Sequence, residues 1–310
     1  MSIGRRIFVL AIALLLSGAV QAFAADVVIV RTSDAEPYTQ AEAALRQQLG
    51  GQNCKIKSLL AREASDKGIE ASIGKPDVVV AIGTAAARWL HKQLPADVKL
   101  MYCMVSNPAD ATLLQGHACV GVSTDVPIAD QLKLVAEALP HARKIGFMYH
   151  SDTAEGKAQL ADLQRALPGD WRVEAVAVND YPSVAGAIDA LLGKPIDIAW
   201  TTADQNLYDT ACVRTLLLSA VRAKIPVWGY SPGFVRAGAL LGVGVEPAAQ
   251  GKQLADLIAK TLADPAGFKT RAVDPDHFQI AVNKIVADQI GVEIPDSVSH
   301  RAAFIYQPEK

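Results

Sequence analysis

From Asp26 onward the sequence repeats one phrase: a short run rich in Val and Ile, a polar or Gly-containing turn, then an amphipathic stretch of helical period. A chain patterned this way buries its apolar surface by laying helices against both faces of a mainly parallel sheet, so the fold is restricted to the α/β class. Residues 27–30 open the series as a strand, followed by a helix over 38–49. A strand at 56–60 and a helix at 66–73 come next. Residues 77–82 are almost all Val and Ile, which suits a parallel strand buried on both faces. Gly83 and Thr84 then turn the chain into a helix over 85–93, and strands at 100–105 and 119–122 complete the first array.

After a helix over 129–139 the phrase begins again. Strands are predicted at 144–149, 171–178, 196–201 and 226–230, with helices over 155–166, 181–192 and 208–223 between them. Two successive arrays predict two doubly wound, Rossmann-like α/β lobes side by side. A mature length of roughly 285 residues agrees, because it exceeds what one core usually holds. The C-terminal third reads as a Gly-rich strand at 239–245, a strong helix over 248–262, a last strand at 278–282 and a helix over 284–290. One way to place these pieces is to have the chain recross between the lobes. The expected organisation is residues 25–125 plus 247–272 in lobe 1 and 126–246 plus 273–310 in lobe 2, joined by hinge strands that permit bending rather than a free swivel.

Residues 1–24 have the three parts of a cleavable secretory signal peptide: Arg5 and Arg6, an apolar run over 7–16, and small residues ending in Ala22, Phe23 and Ala24. The apolar run is far shorter than the roughly 20 residues that span a bilayer. The chain is therefore expected to be exported to the periplasm, without a lipid anchor because no Cys sits at the cut. Loss of Arg5 and Arg6 takes the formal charge from −2 to −4, and no basic stripe suggests nucleic acid. In an oxidising compartment the four cysteines raise the question of disulfides. Cys103 and Cys119 flank one strand-loop-strand stretch and are the pair that adjacent strands could bring together; the alternative is buried free thiols. Cys212 lies in a predicted helix and is expected only to pack.

Ligands of open α/β sheets bind beyond the carboxyl ends of the strands, where helix N-termini offer free N–H groups. In two facing lobes those loops would line one cleft. The first lobe offers Ser33, Thr84, Ser106 and Asn107; the second offers Tyr149, Thr202, Asp204, Tyr230 and Ser231. Hydroxyl, amide and aromatic groups with few charges suit a small molecule held by hydrogen bonds and stacking. For Thr84, Asn107 and Asp204 a plain helix-capping role stands beside the ligand role. Of Trp228 and Tyr230, strand alternation allows only one to face the cleft, and position favours Tyr230. No nucleophile elbow, metal-binding His pair, P-loop or dinucleotide-binding glycine motif occurs, and the six histidines are scattered. Neither catalysis nor a cofactor is expected.

The motifs, taken in order, resemble a known group. Residues 77–84, reading DVVVAIGT, are similar to the D-x-(V/I)-x-A-x-G-(T/S) of ABC transporter substrate-binding proteins of the tryptophan/tyrosine-uptake type. Val105, Ser106, Asn107 and Pro108 resemble that group's V-S-(D/N)-P. Gly121, Val122 and Ser123 resemble its T-G-V-S, with Val120 in place of the Thr. Residues 131–146 resemble its Q-L-x-L…L-P…K-R-I-G, and residues 224–239 its approach to the second-lobe hinge. The resemblance runs from about Val27 to Pro295. It implies a type I periplasmic-binding fold closing by hinge bending, capture of a small, polar, amino-acid-like molecule between the lobes, and delivery to a membrane permease and ATPase by a monomer. The other role open to such a fold is ligand sensing for a membrane receptor or kinase. By position the resemblance supports Thr84, Ser106, Asn107, Asp204 and Ser231 as ligand contacts. It departs at Ala203, Asp204 and Gln205, where relatives carry Pro-Asp-Pro or Thr-Asp-Asn: the acid is kept and its neighbours are changed.

Overall fold

A computed structural model describes residues 24–109, 111–204 and 206–308, so the predicted signal segment lies outside the described residues, Ala24 excepted. The first array folds as β1 (Ala25–Arg31), α1 (Glu36–Leu49), β2 (Cys54–Leu60), α2 (Ala61–Lys67), α3 (Ile69–Ile73), β3 (Val78–Ile82), α4 (Thr84–Gln93), β4 (Lys99–Val105) and β5 (Cys119–Ser123). The second comprises α5 (Ile128–Ala138), β6 (Lys144–Tyr149), α6 (Ala154–Ala166), β7 (Arg172–Ala177), α7 (Val184–Leu192), β8 (Ile198–Trp200), α8 (Thr210–Ala223), β9 (Val227–Gly229), α9 (Pro232–Ala237) and β10 (Leu241–Val245). The remainder is α10 (Pro247–Ala263), β11 (Arg271–Val273), β12 (Phe278–Asn283), α11 (Lys284–Ile290), α12 (Asp296–Ser299) and β13 (Ala302–Tyr306).

These strands form two sheets, in spatial orders β11-β5-β4-β3-β1-β2 and β13-β12-β10-β9-β8-β6-β7. The first is parallel throughout. In the second, β12 runs antiparallel to β10 and the other pairs are parallel. The all-apolar strand β3 lies centrally and every one of its residues is buried. Burying a Val or Ile side chain is worth about 1.5–3 kcal/mol, and helices cover both faces of this strand, so it is a major contributor to the core.

The chain passes between the sheets three times: over residues 124–127 after β5, at Glu246 between β10 and α10, and over residues 274–277 between β11 and β12. The strands beside the crossings, β5 and β11 in the first sheet and β10 and β12 in the second, are neighbours within their sheets, whereas the first crossing leads through α5 to β6 on the far side of the second sheet. Just before the third crossing, Val273 at the end of β11 pairs with Val122. Helix α10 packs on the first sheet, tightly enough against α1 that a Cβ at Gly251 would lie 2.1 Å from the Ala41 carbonyl oxygen.

Several local expectations are corrected. The helix read over 66–73 is two short helices broken at Gly68, whose φ of 81° no helix accommodates. Residues 232–237 form a helix that the Gly- and Pro-rich spelling concealed, with Pro232 at its first turn and Ser231 as its cap. Strand β12 is not the last: β13 follows, and β11 was also missed. Both are edge strands whose residues are mostly half-buried or exposed, so they lack the apolar run that marks the central strands. Cys103 and Cys119 are both buried free thiols. Cys119 pairs in register with Leu100, three residues from Cys103, and the two side chains join core clusters on opposite faces of the sheet. Cys212 packs in the second lobe.

Candidate functional site

Where the carboxyl ends of the two sheets face each other, a cleft of about 640 Å³ is lined from both lobes and from the first crossing. That volume falls within the range that holds small organic ligands. The first lobe contributes Pro37, Met104 and Ser106. The first crossing contributes Thr124, Asp125 and Val126, and the second is flanked by Val245 and Pro247. The second lobe supplies Gln159, Asp162, Trp200, Thr201, Thr202, Tyr230 and Ser231.

The wall from the first lobe is built on an irregular strand end. The β4–β5 register shifts between Tyr102 and Val105, and Met104 adopts a φ of 57°, a left-handed conformation unusual for a side chain of its size. Gln250, 1% exposed in the first turn of α10, holds it there. Its Oε1 accepts the Met104 N–H at 3.2 Å, and its Nε2 donates to the Ser123 carbonyl at 3.0 Å. One buried amide thus ties the cleft wall to residues beside two crossings. Asp125 anchors the loop that follows: its carboxylate accepts from the Ser106 hydroxyl at 3.1 Å, the Asn107 N–H at 2.7 Å and the Ser123 hydroxyl at 2.8 Å.

The wall from the second lobe is aromatic. Trp200 at the end of β8 stacks on the wholly buried Trp228 of β9, with ring centroids 5.0 Å apart and planes within 8°. The Trp228 indole N–H donates to Gln131 Oε1 at 3.0 Å, which fixes the ring. Tyr230 packs on Phe234 at 5.0 Å, and partial burial raises its hydroxyl pKa. Ser231 caps α9 by accepting the Phe234 N–H at 3.2 Å.

Of the nine residues anticipated from the sequence, Ser106, Thr202, Tyr230 and Ser231 come together in this cleft. The others do not line it. Ser33 accepts the Ala35 N–H in its own turn at 3.3 Å. Thr84 is the first helical residue of α4 rather than its cap; the capping oxygen is Thr32 Oγ1, which accepts the Ala86 N–H at 3.1 Å from a loop 54 residues away. Asn107, at φ 43°, donates its N–H to Asp125. Tyr149 stacks on Phe147 at 6.4 Å and packs into the core of its lobe. Asp204 is 5% exposed and accepts the N–H groups of Asn206 and Leu207, at 2.9 and 3.2 Å, so its oxygen is occupied within its own loop; Gln205 beside it lies outside the described residues. Sequence reasoning missed Asp125, Gln159 and Trp200. Asp125 lies two residues beyond the G-V-S motif and Trp200 ends a strand, so both positions could have been found by extending the carboxyl-end rule by one or two residues.

A second groove, of about 820 Å³, runs between α8, α9 and α11 and is lined largely by apolar residues such as Leu217, Leu218 and Val221. Its lining comes from one lobe, whereas the interlobe cleft gathers polar groups from both, and we take the latter as the candidate site. Among the described residues no cluster of three or more potential metal ligands occurs, and no helix is long and apolar enough to cross a membrane. Nor does a hydrogen bond join Thr84, His150 and Asp204; His150 Nδ1 instead faces the Asp152 carboxylate at 4.0 Å.

Known proteins resemble the chain along most of its length. A tyrosine-binding protein of Clostridioides difficile (strain R20291) is 25% identical over 216 residues, which is 68% of this chain and 61% of that protein, so the matched part spans less than two thirds of that relative. Among solved structures, a ligand-free, open substrate-binding protein with adhesive properties from Clostridium difficile superposes with a TM-score of 0.69 at 21% identity, covering 92% of this chain and 100% of that one. A Streptococcus pneumonia ABC domain in complex with L-Trp gives 0.57 at 21% identity, covering 91% and 99%. These likenesses establish the type I periplasmic-binding fold. The model of the family of ABC transporter substrate binding proteins matches residues 63–305, and the chain belongs to that family.

Proposed function

We propose that this protein is the periplasmic solute-binding component of an ABC importer, capturing a small, amino-acid-like molecule between its lobes and delivering it to a membrane permease and ATPase. The observation that carries the reading is the interlobe cleft: residues of both lobes and of the first crossing line it, so a ligand bound there touches both lobes and favours their closure. Membership of the family supports the transport role, and the relatives named for tyrosine and L-Trp support an amino-acid-like ligand. In this reading residues 1–24 direct export and are removed, and the mature protein acts as a monomer. The two sheets, each with its covering helices, move in this reading as two bodies about the three crossings. Ser106, Thr202, Tyr230 and Ser231, with Asp125 and Trp200, make the ligand contacts.

A thermal-shift screen of amino acids, vitamins and small organic anions tests this directly, because a ligand that binds only the folded state raises the melting temperature. One chemical class is expected to stabilise the protein, and small-angle scattering is expected to report a smaller radius of gyration with that ligand. Absence of stabilisation by every class, together with unchanged scattering, would refute the reading.

A further inference from the structure

Three of the six hydroxyls that line the cleft are already spent as donors within the protein. Thr201 gives its hydroxyl proton to the Trp228 carbonyl at 2.7 Å, Thr202 donates to Gln159 Oε1 at 3.2 Å, and Ser106 donates to Asp125. Gln131 donates to the Val126 carbonyl at 2.7 Å while its oxygen is held by the Trp228 indole. No lysine, arginine or histidine is among the described residues that line the cleft. A ligand carboxylate would therefore meet the hydroxyls of Thr124, Tyr230 and Ser231 but no positive charge.

The two carboxylates differ in how they are compensated. Asp162 on α6 is paired with Arg165 at 2.7 Å. No ion pair is formed by Asp125 among the described residues. Three protein donors, Ser106, Asn107 and Ser123, hold it in place. An ionised carboxylate accepts about four hydrogen bonds, so about one site is left for a donor from the cleft. A fixed carboxylate without a counter-ion, in a cleft that closure would partly dehydrate, is complemented by a cation that the ligand brings. The indole of Trp200 and the ring of Tyr230 offer apolar surface beside it.

We propose that the cleft selects amines: the ammonium docks on Asp125, an apolar or aromatic body lies along Trp200 and Tyr230, and a carboxylate on the ligand is dispensable. This rests on the capture reading above and names its chemical class.

The test is calorimetric titration of the full chain with three matched sets. The amines are 2-phenylethylamine, tryptamine and isoamylamine. The amino acids are L-phenylalanine, L-tryptophan and L-leucine, and the acids lacking the amine are 3-phenylpropionate, indole-3-propionate and 4-methylpentanoate. In at least one set the amine is expected to bind within about tenfold of its amino acid, and the acid about tenfold or more weaker, the loss typical of one charge-assisted hydrogen bond. Asp125→Asn is expected to weaken the amine by a similar factor. Because that change also touches the Ser106–Asn107 loop, the alcohol that replaces the best amine serves as a control needing no variant, and it too should bind about tenfold or more weaker. An acid that binds as tightly as its amine, an amine that fails where its amino acid binds, or undiminished binding by a folded Asp125→Asn protein overturns the proposal. If all three sets fail while another class in the thermal-shift screen stabilises the protein, amine selection is wrong and capture stands. If no class binds in either experiment, capture itself falls.

Discussion

At the scale of single residues, the fold depends on a few positions where nothing larger or differently charged fits. Gly251 is one: with a Cβ placed 2.1 Å from the Ala41 carbonyl oxygen, backbone must move. Gly251→Ala is expected to lower the stability by about 1–3 kcal/mol, measured from urea midpoints, as overpacking usually does. The buried thiols are another case. Burial pushes Cys103 up to about 12 from an ordinary value near 9, and desolvation likewise raises Cys119, to about 12, and Cys212, to about 11. The folded thiols stay protonated where the unfolded ones ionise. Their contribution is therefore intact below about pH 9 and is lost as the pH rises from there toward about 12. Stability is expected to fall across that range, and the fall should be shallower in Cys103→Ala when the two proteins are compared by urea unfolding at each pH.

At the scale of elements, helices and strands are placed by polar ties that reach far along the chain. The cap of α4 comes from Thr32 after β1, not from the neighbouring Thr84. Gln250 in α10 plays a larger part, since it holds the irregular end of β4 and the last carbonyl of β5 at once. Gln250→Leu keeps the volume but leaves the Met104 N–H and the Ser123 carbonyl without that partner in a dry interior. A loss of about 2 kcal/mol or more is expected in urea unfolding. Weaker ligand binding should accompany it, because Met104 and Ser106 form the cleft wall that this amide positions.

At the scale of the whole molecule, three crossings join the two sheets, and the strands beside them, β5 and β11 in one and β10 and β12 in the other, are neighbours within their sheets, an arrangement that suits bending better than a free swivel. Trp200 lines the cleft and stacks on Trp228, which is bonded to Gln131 just beyond the first crossing, so the pair sits where bending and ligand contact meet. Ligand binding is expected to change the intrinsic tryptophan emission, and Trp200→Phe should remove most of that change although Trp89, Trp171 and the buried Trp228 remain. An emission change undiminished by Trp200→Phe would mean that the ligand does not contact that ring.

The sequence by itself determined the α/β class, the two arrays, the order of the central strands and helices, and the family, because periodicity and βα turns are local and the family motifs lie at those turns. It did not determine which polar residues the ligand meets. Asp204 and Ser33 have suitable chemistry at suitable loop positions, yet their oxygens accept N–H groups within two or three residues. The cap expected of Thr84 comes instead from the Thr32 hydroxyl, 54 residues from the Ala86 N–H it accepts, Gln131 is engaged 97 residues away, and Gln250 bonds across 127. A hydroxyl, amide or carboxylate is available to a ligand only if the folded protein has not already satisfied it, and most of the groups that satisfy it are distant in sequence. Tertiary structure alone decided that balance, leaving Asp125 anchored by hydroxyl and backbone donors and without an ion-pair partner among the described residues.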